Sequence, residues 1–120
     1  MSNIIDDKSK AFAIRIIGLY DYLHEKKRET VLSKQILRSG TSIGANIRER
    51  KNAQSNANFI TKLHIALKEA VETQYWLELL VATDKITQTQ FDSLNEDLRE
   101  IITMLTSSIK TTKENNNYKK

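Results

Sequence analysis

Residues 59–80 read FITKLHIALKEAVETQYWLELL, and in this stretch Phe59, Leu63, Ala66, Ala70, Thr73, Leu77 and Leu80 recur at steps of four and three over three heptads. That period puts all seven side chains on one stripe of an α-helix, the seam along which helices of a bundle pack. A strand would need a period of two, and nothing in the stretch supplies one. The segment is predicted as a helix over about 57–83.

The same spacing appears on both sides of it. Phe12, Ile16, Leu19 and Leu23, widened by Ile17 and Tyr20, predict a first helix over about 7–27, with Asp6 and Asp7 favouring its positive end. Val31, Leu32, Ile36, Leu37, Ile43 and Ile47 predict a second over about 30–52, ending where Asn, Gln and Ser cluster. Thr87 and Gln90 match a capping box, and Phe91, Leu94, Leu98, Ile101, Leu105 and Ile109 carry a fourth helix over about 88–112. Residues 1–5 and 113–120 are left as frayed ends. The links are a few residues long, and short links between long helices make sequential neighbours antiparallel. The expected fold is all-α: one domain over 1–120, an antiparallel up-down-up-down four-helix bundle.

Composition agrees with that reading. The 120 residues contain no proline, no cysteine and three glycines, a bias toward long helices that also excludes disulfides and thiolate metal sites. The start of the chain has no basic-then-apolar leader pattern and no apolar run approaches the ~18 residues of a membrane span, so a cytoplasmic protein with no membrane partner is expected.

Two glycines fall inside the second helix. Residues 38–46, RSGTSIGAN, place Gly40 and Gly44 one turn apart. An interior glycine costs a helix roughly 1 kcal/mol relative to alanine, so the missing side chains have a use, namely close approach of another helix within the bundle or across a subunit boundary. The third helix is also apolar beyond its seam, with Ile60, Ile65, Leu67, Val71, Tyr75, Trp76, Leu79 and Val81 around much of its circumference. A bundle buries about one face per helix, and the surplus calls for a second interface. Gly40, Gly44 and Trp76 are therefore candidates for tight packing or for a homo-oligomer contact.

Charge is unevenly placed. The net charge is +4, with 11 Lys/Arg against 6 Asp/Glu in residues 1–60 and 8 against 9 in residues 61–120. Between positions 26 and 51, Lys26, Lys27, Arg28, Lys34, Arg38, Arg48, Arg50 and Lys51 face only Glu29 and Glu49. Such a cluster suits phosphate backbones, and Lys34, Arg38, Arg48, Arg50 and Lys51 are the candidate contacts to RNA or DNA. The alternative is a solvated helix face. Asn46, Glu49, Lys62, Glu69 and Glu72 lie near apolar seams, where an unpaired polar group costs several kcal/mol, so a network joining the second and third helices is expected, with Glu69 or Glu72 meeting Arg38 or Lys62.

The stretch LRSGTSIGANIRERKNAQSNANFITKLHIALKEAVETQYWLELL, residues 37–80, resembles the small four-helix-bundle proteins encoded in intervening sequences of bacterial 23S ribosomal RNA genes. The resemblance is carried by Leu37 through Ile47 with Glu49, by Ala53, Ser55, Phe59, Lys62 and Leu63, by AlaLeuLysGluAla at 66–70, and by Glu72, Thr73, Tyr75 and Trp76. It implies a bundle that assembles as a ring-like homopentamer. A related member, the accessory protein of diversity-generating retroelements, is basic and associates with nucleic acid and a reverse transcriptase. Arg50 departs from the pattern, which usually has alanine after the glutamate, and makes this surface more basic than the pattern requires.

Catalysis finds no support in the residues. Glu69 and Glu72 stand at i and i+3, but bundle metal sites pair such a glutamate with histidine, and position 72 is not histidine. His24 and His64 have no partner at metal-ligand spacing and are expected at the surface or its boundary. No nucleophile elbow or phosphate loop is present. The expectation is a non-enzymatic protein without cofactor or metal, either an oligomeric nucleic-acid accessory factor or a scaffold for a protein partner.

Overall fold

In the computed structural model, which describes residues 3–118, the chain forms four helices and one short 3-10 turn. The helices are α1 (Ile4–Glu25), α2 (Leu32–Glu49), α3 (Asn56–Ala82) and α4 (Gln88–Tyr118), with the 3-10 turn at Arg50–Asn52. Each helix packs on the next and α4 returns to α1, while α1 and α3, like α2 and α4, face each other across the diagonal with no close backbone approach. The described body is a rod of 54 × 24 × 22 Å.

The core is the predicted seams brought together. Leu63, Ala66, Ala70, Thr73, Leu77 and Leu80 of α3 are all buried, and they meet Phe12, Ile16 and Leu23 of α1, Ile36, Ile43 and Ile47 of α2, and Leu98, Ile101 and Leu105 of α4. Phe59 is half-buried at the margin. Pairings between neighbouring helices run in opposite senses. Arg50, just after α2, reaches Asp6 at the start of α1, while Gly40 lies on Ile16. Likewise Ser39 meets Thr73 and Glu49 meets Lys62.

Local chemistry sets the ends. Ser55 caps α3, its Oγ accepting from the Asn58 amide at 3.1 Å. At α4 the Thr87 Oγ1 accepts from the Gln90 amide and the Gln90 side chain accepts from the Thr87 amide, a reciprocal capping box. Several boundaries differ from the expected ones. α1 begins at Ile4, not at 7, because Ile5 is buried in the core and Asp6 is held by Arg50. α2 begins at Leu32, since the preceding residues form a turn that Glu29 closes. The end expected at 52 tightens into the 3-10 turn from Arg50. α4 does not stop at 112 but continues to Tyr118, as no glycine or proline follows Ile109 to break it. The expected frayed residues Met1, Ser2, Lys119 and Lys120 lie outside the described residues.

Candidate functional site

The glycine run faces inward. A Cβ on Gly40 would lie 2.9 Å from both Cγ atoms of the buried Ile16, and one on Gly44 would lie 3.3 Å from Ser9 Oγ and 3.5 Å from its backbone. Both glycines therefore sit at the close approach of α1 and α2 within the chain, the first of the two uses open to them. Trp76 is likewise committed to its own bundle in part: it packs against the core and its Nε1 donates to Glu72 at 3.1 Å.

A network joins α2 and α3. Arg38 donates through Nη1 to Glu69 at 3.1 Å and through Nη2 to Glu72, the carboxylate that also accepts from Trp76. Beneath it the Ser39 and Thr73 hydroxyls meet at 2.8 Å, fully buried. Lys62 pairs with Glu49 at 3.1 Å, not with Glu69 or Glu72, and Asn46 donates to the Ser42 carbonyl inside α2, outside the network. Arg38 is half exposed, so this is a register-setting surface network and not a buried triad.

The cations divide into two groups. Arg50, expected on a basic surface, is buried: its side chain is 7% exposed and grips Asp6, 10% exposed, with two hydrogen bonds of 3.0 and 3.1 Å, while also donating to the Ile47 carbonyl. The guanidinium hydrogen bonds hold the Asp6 carboxyl below the usual carboxylate range, overcoming the upward push of burial. Lys51 is exposed but also reaches Asp6, at 3.5 Å. Arg48 lies apart on the α1–α2 groove with Lys10. Arg48, Arg50 and Lys51 thus do not make one free basic face, although they are near neighbours in sequence.

The second group sits at the other end of the rod. Lys26, Lys27 and Arg28 form the α1–α2 turn and Lys34 lies in the first turn of α2, all four exposed and, among the described residues, none in an ion pair. The turn's own acid is occupied. Glu29 accepts from the amides of Val31, Leu32 and Ser33 at 3.0, 2.7 and 2.8 Å, capping α2. Burial pushes its carboxyl up, but those three amides and the nearby Lys85 outweigh it and hold the group below its ordinary value. Arg28 takes a left-handed backbone, φ 52°. Sequence reading missed this cap and the α1–α4 ion pairs Lys8–Glu100 and Arg15–Asp97, both 2.6 Å. Glu29, three residues before the helix, was the only legible signal among them.

The family model for the 23S rRNA-intervening sequence protein matches residues 1–107. The chain belongs to this family. A crystal structure of a protein with unknown function from the S23 ribosomal protein family of Bacteroides thetaiotaomicron is 60% identical, with a TM-score of 0.89, over 89% of this chain and 99% of that one. No curated protein matches.

Within this family fold, among the described residues, no cluster of three or more metal-binding side chains is found and no helix is long and apolar enough to cross a membrane. His64 is exposed, and His24 is half-buried against Tyr20 with its ring centroid 4.4 Å away.

Proposed function

We propose that this family member is the repeating unit of a ring-like homo-oligomer of up-down-up-down bundles, acting without catalysis as a ribonucleoprotein accessory factor that contacts RNA or DNA backbones. The observation that carries the reading is the charge left over after pairing. Lys10, Lys26, Lys27, Arg28, Lys34 and Arg48, in α1, α2 or the turn between them, are exposed and outside the ion pairs of the described residues, as are Lys68 of α3 and Arg99, Lys110 and Lys113 of α4, so the larger share of the free charge lies on the α1–α2 side. Cations that are not neutralised internally are the ones that can release counterions from a phosphate backbone. Among the described residues the aromatics of α1 (Phe12, Tyr20 and Tyr22) are buried or half-buried and α2 and the turn carry none, so contact without sequence specificity follows. Five copies at +4 each, the number the family resemblance implies, would carry about +20 in one particle.

A salt titration of affinity for structured ribosomal RNA and for duplex DNA tests this. Submicromolar binding at physiological salt, weakening steeply as salt rises, supports it; binding no tighter than ~10⁻⁴ M overturns it.

A protein-interaction scaffold is the second reading, and a separate observation favours it. Ile14 and Ile17 are exposed on α1, and Val71 and Tyr75 on α3, the helix diagonally opposite. Apolar residues facing away on opposite sides suit a head-to-tail contact, the kind that closes a ring. Light scattering on the purified protein should give a multiple of 13.8 kDa, and Val71→Lys with Ile17→Lys should return the mass of a single chain. A wild-type mass of 13.8 kDa would remove the assembly from both readings.

A further inference from the structure

The α1–α2 turn breaks two local rules, and each break involves a cation. α1 ends in a tight reversal closed by the Glu29 amide donating to the Leu23 carbonyl at 2.9 Å, and the residue that makes the reversal, Arg28, is left-handed at φ 52°. That is the position at which helices ordinarily use glycine, because a Cβ there is crowded by the backbone. Six residues later Lys34 stands in the first turn of α2, where the helix dipole favours acids; the acid that meets this dipole, Glu29, precedes the helix and caps its amides. Natural chains depart from local preference mainly where a site requires it. The left-handed backbone itself belongs to the reversal, as it does at Asp84 (φ 59°) after α3, but nothing in the fold asks for a cation at either place: neither Arg28 nor Lys34 is buried or ion-paired among the described residues.

We infer that the end of the rod formed by Lys26, Lys27, Arg28 and Lys34 is the surface that grips the phosphodiester backbone. This rests on the nucleic-acid reading above and names its contact surface. Three consecutive residues span at most ~11 Å, whereas a duplex carries one charge per ~1.7 Å of its axis, so all three turn cations reach one backbone segment together. The turn's own acid does not compete, since Glu29 is turned inward onto three amides; Asp21 and Glu25 on α1 and Asp84 in the α3–α4 link at this end are exposed, but none of the three is ion-paired to a turn cation among the described residues. At the opposite end Arg50 and Lys51 are drawn to Asp6, Arg48 and Lys10 line a groove that Asp6 also lines, and Lys110 and Lys113 stand apart on the last turns of α4, so no run of adjacent cations is left free there. The contact should be to phosphates and not to bases, because no aromatic side chain lies among residues 25–35.

The test uses the full chain and fluorescence anisotropy with two probes, a duplex DNA and an RNA hairpin, between about 50 and 200 mM salt. The variant Lys26→Ala, Lys27→Ala, Arg28→Ala, Lys34→Ala is compared with Lys10→Ala, Arg48→Ala, and circular dichroism checks that each is folded. The turn variant should lose at least about tenfold in affinity at physiological salt and flatten the salt slope by about 0.9 for each lost duplex contact, while the groove variant, which removes two cations of the same α1–α2 surface, loses clearly less; a groove variant that loses as much as the turn variant overturns the inference. Lys26→Arg with Lys27→Arg, which keeps the charge, should bind as the parent does. Equal affinity of the parent and the turn variant overturns the inference and leaves the nucleic-acid reading standing. Absence of binding by the parent on both probes overturns the two together. A loss on RNA alone or DNA alone supports the surface and names the backbone it prefers.

Discussion

Clustered cations flank α2 at both ends of the rod, but the two clusters are used in opposite ways. At the end where α1 begins and α2 stops, Arg50 is buried against Asp6 and Lys51 is drawn to the same carboxylate. At the end where α1 stops and α2 begins, Lys26, Lys27, Arg28 and Lys34 stand in solvent, and the acid of the turn caps a helix instead of pairing with them. A run of Lys and Arg in sequence is thus not yet a basic surface. What counts is whether the fold brings a carboxylate within reach, and here it does so at one end only.

The strongest way to break this contrast is to remove the paired cation. Arg50→Ala leaves the Asp6 carboxylate buried without its partner and should cost about 3 kcal/mol in urea unfolding. A loss of under ~1 kcal/mol would show that the pair is open to water and the two ends are alike. Acid sharpens the same point. Asp6 and Glu29 are both held below their ordinary values, so their contribution is complete above about pH 5 and is lost as pH falls below about 4 through the lowered native pKa values. Arg50→Ala should flatten that acid-side decline, because Asp6 then loses its main cause of depression.

The middle of the rod supplies the next effect. Gly40→Ala drives a methyl into the buried Ile16 and should destabilise by about 1–2 kcal/mol even after the gain in helix propensity. Gly18→Ala, with open space around it, should stabilise by about 0.5–1 kcal/mol. Thermal unfolding of both variants checks the pair, and equal signs would show that the close approach of α1 and α2 is not needed.

Smaller still is the strain at the exposed end. Arg28→Gly should stabilise by up to about 1 kcal/mol while weakening nucleic-acid affinity, a trade that a merely structural turn would not show. The half-exposed Arg38–Glu69 pair should give a coupling of only about 0.2–1 kcal/mol in a double-mutant cycle. A coupling above ~2 kcal/mol would place it with the buried pair at Asp6.

Much of the helical frame was legible because it depends on periodicity, which is a local property. The seam from Leu63 to Leu80, the Thr87–Gln90 box and the link between Arg38 and Glu69 or Glu72 could all be read from spacing and residue type. The misreadings share one cause. In the sequence Arg50 reads as part of a basic surface because Asp6, its partner, is 44 residues away, and no spacing rule connects them. Gly40 and Gly44 showed that something must come close, but which helix came close depended on how α1 and α2 cross.

By itself, then, the sequence determined four amphipathic helices, their approximate order along the chain, and a positive excess in its first half, since each follows from period, turn chemistry or counting. Only the tertiary structure decided which cations are spent inside the molecule and which remain at its surface. Pairing is a matter of distance in space, and that distance is set by helix packing and not by position along the chain.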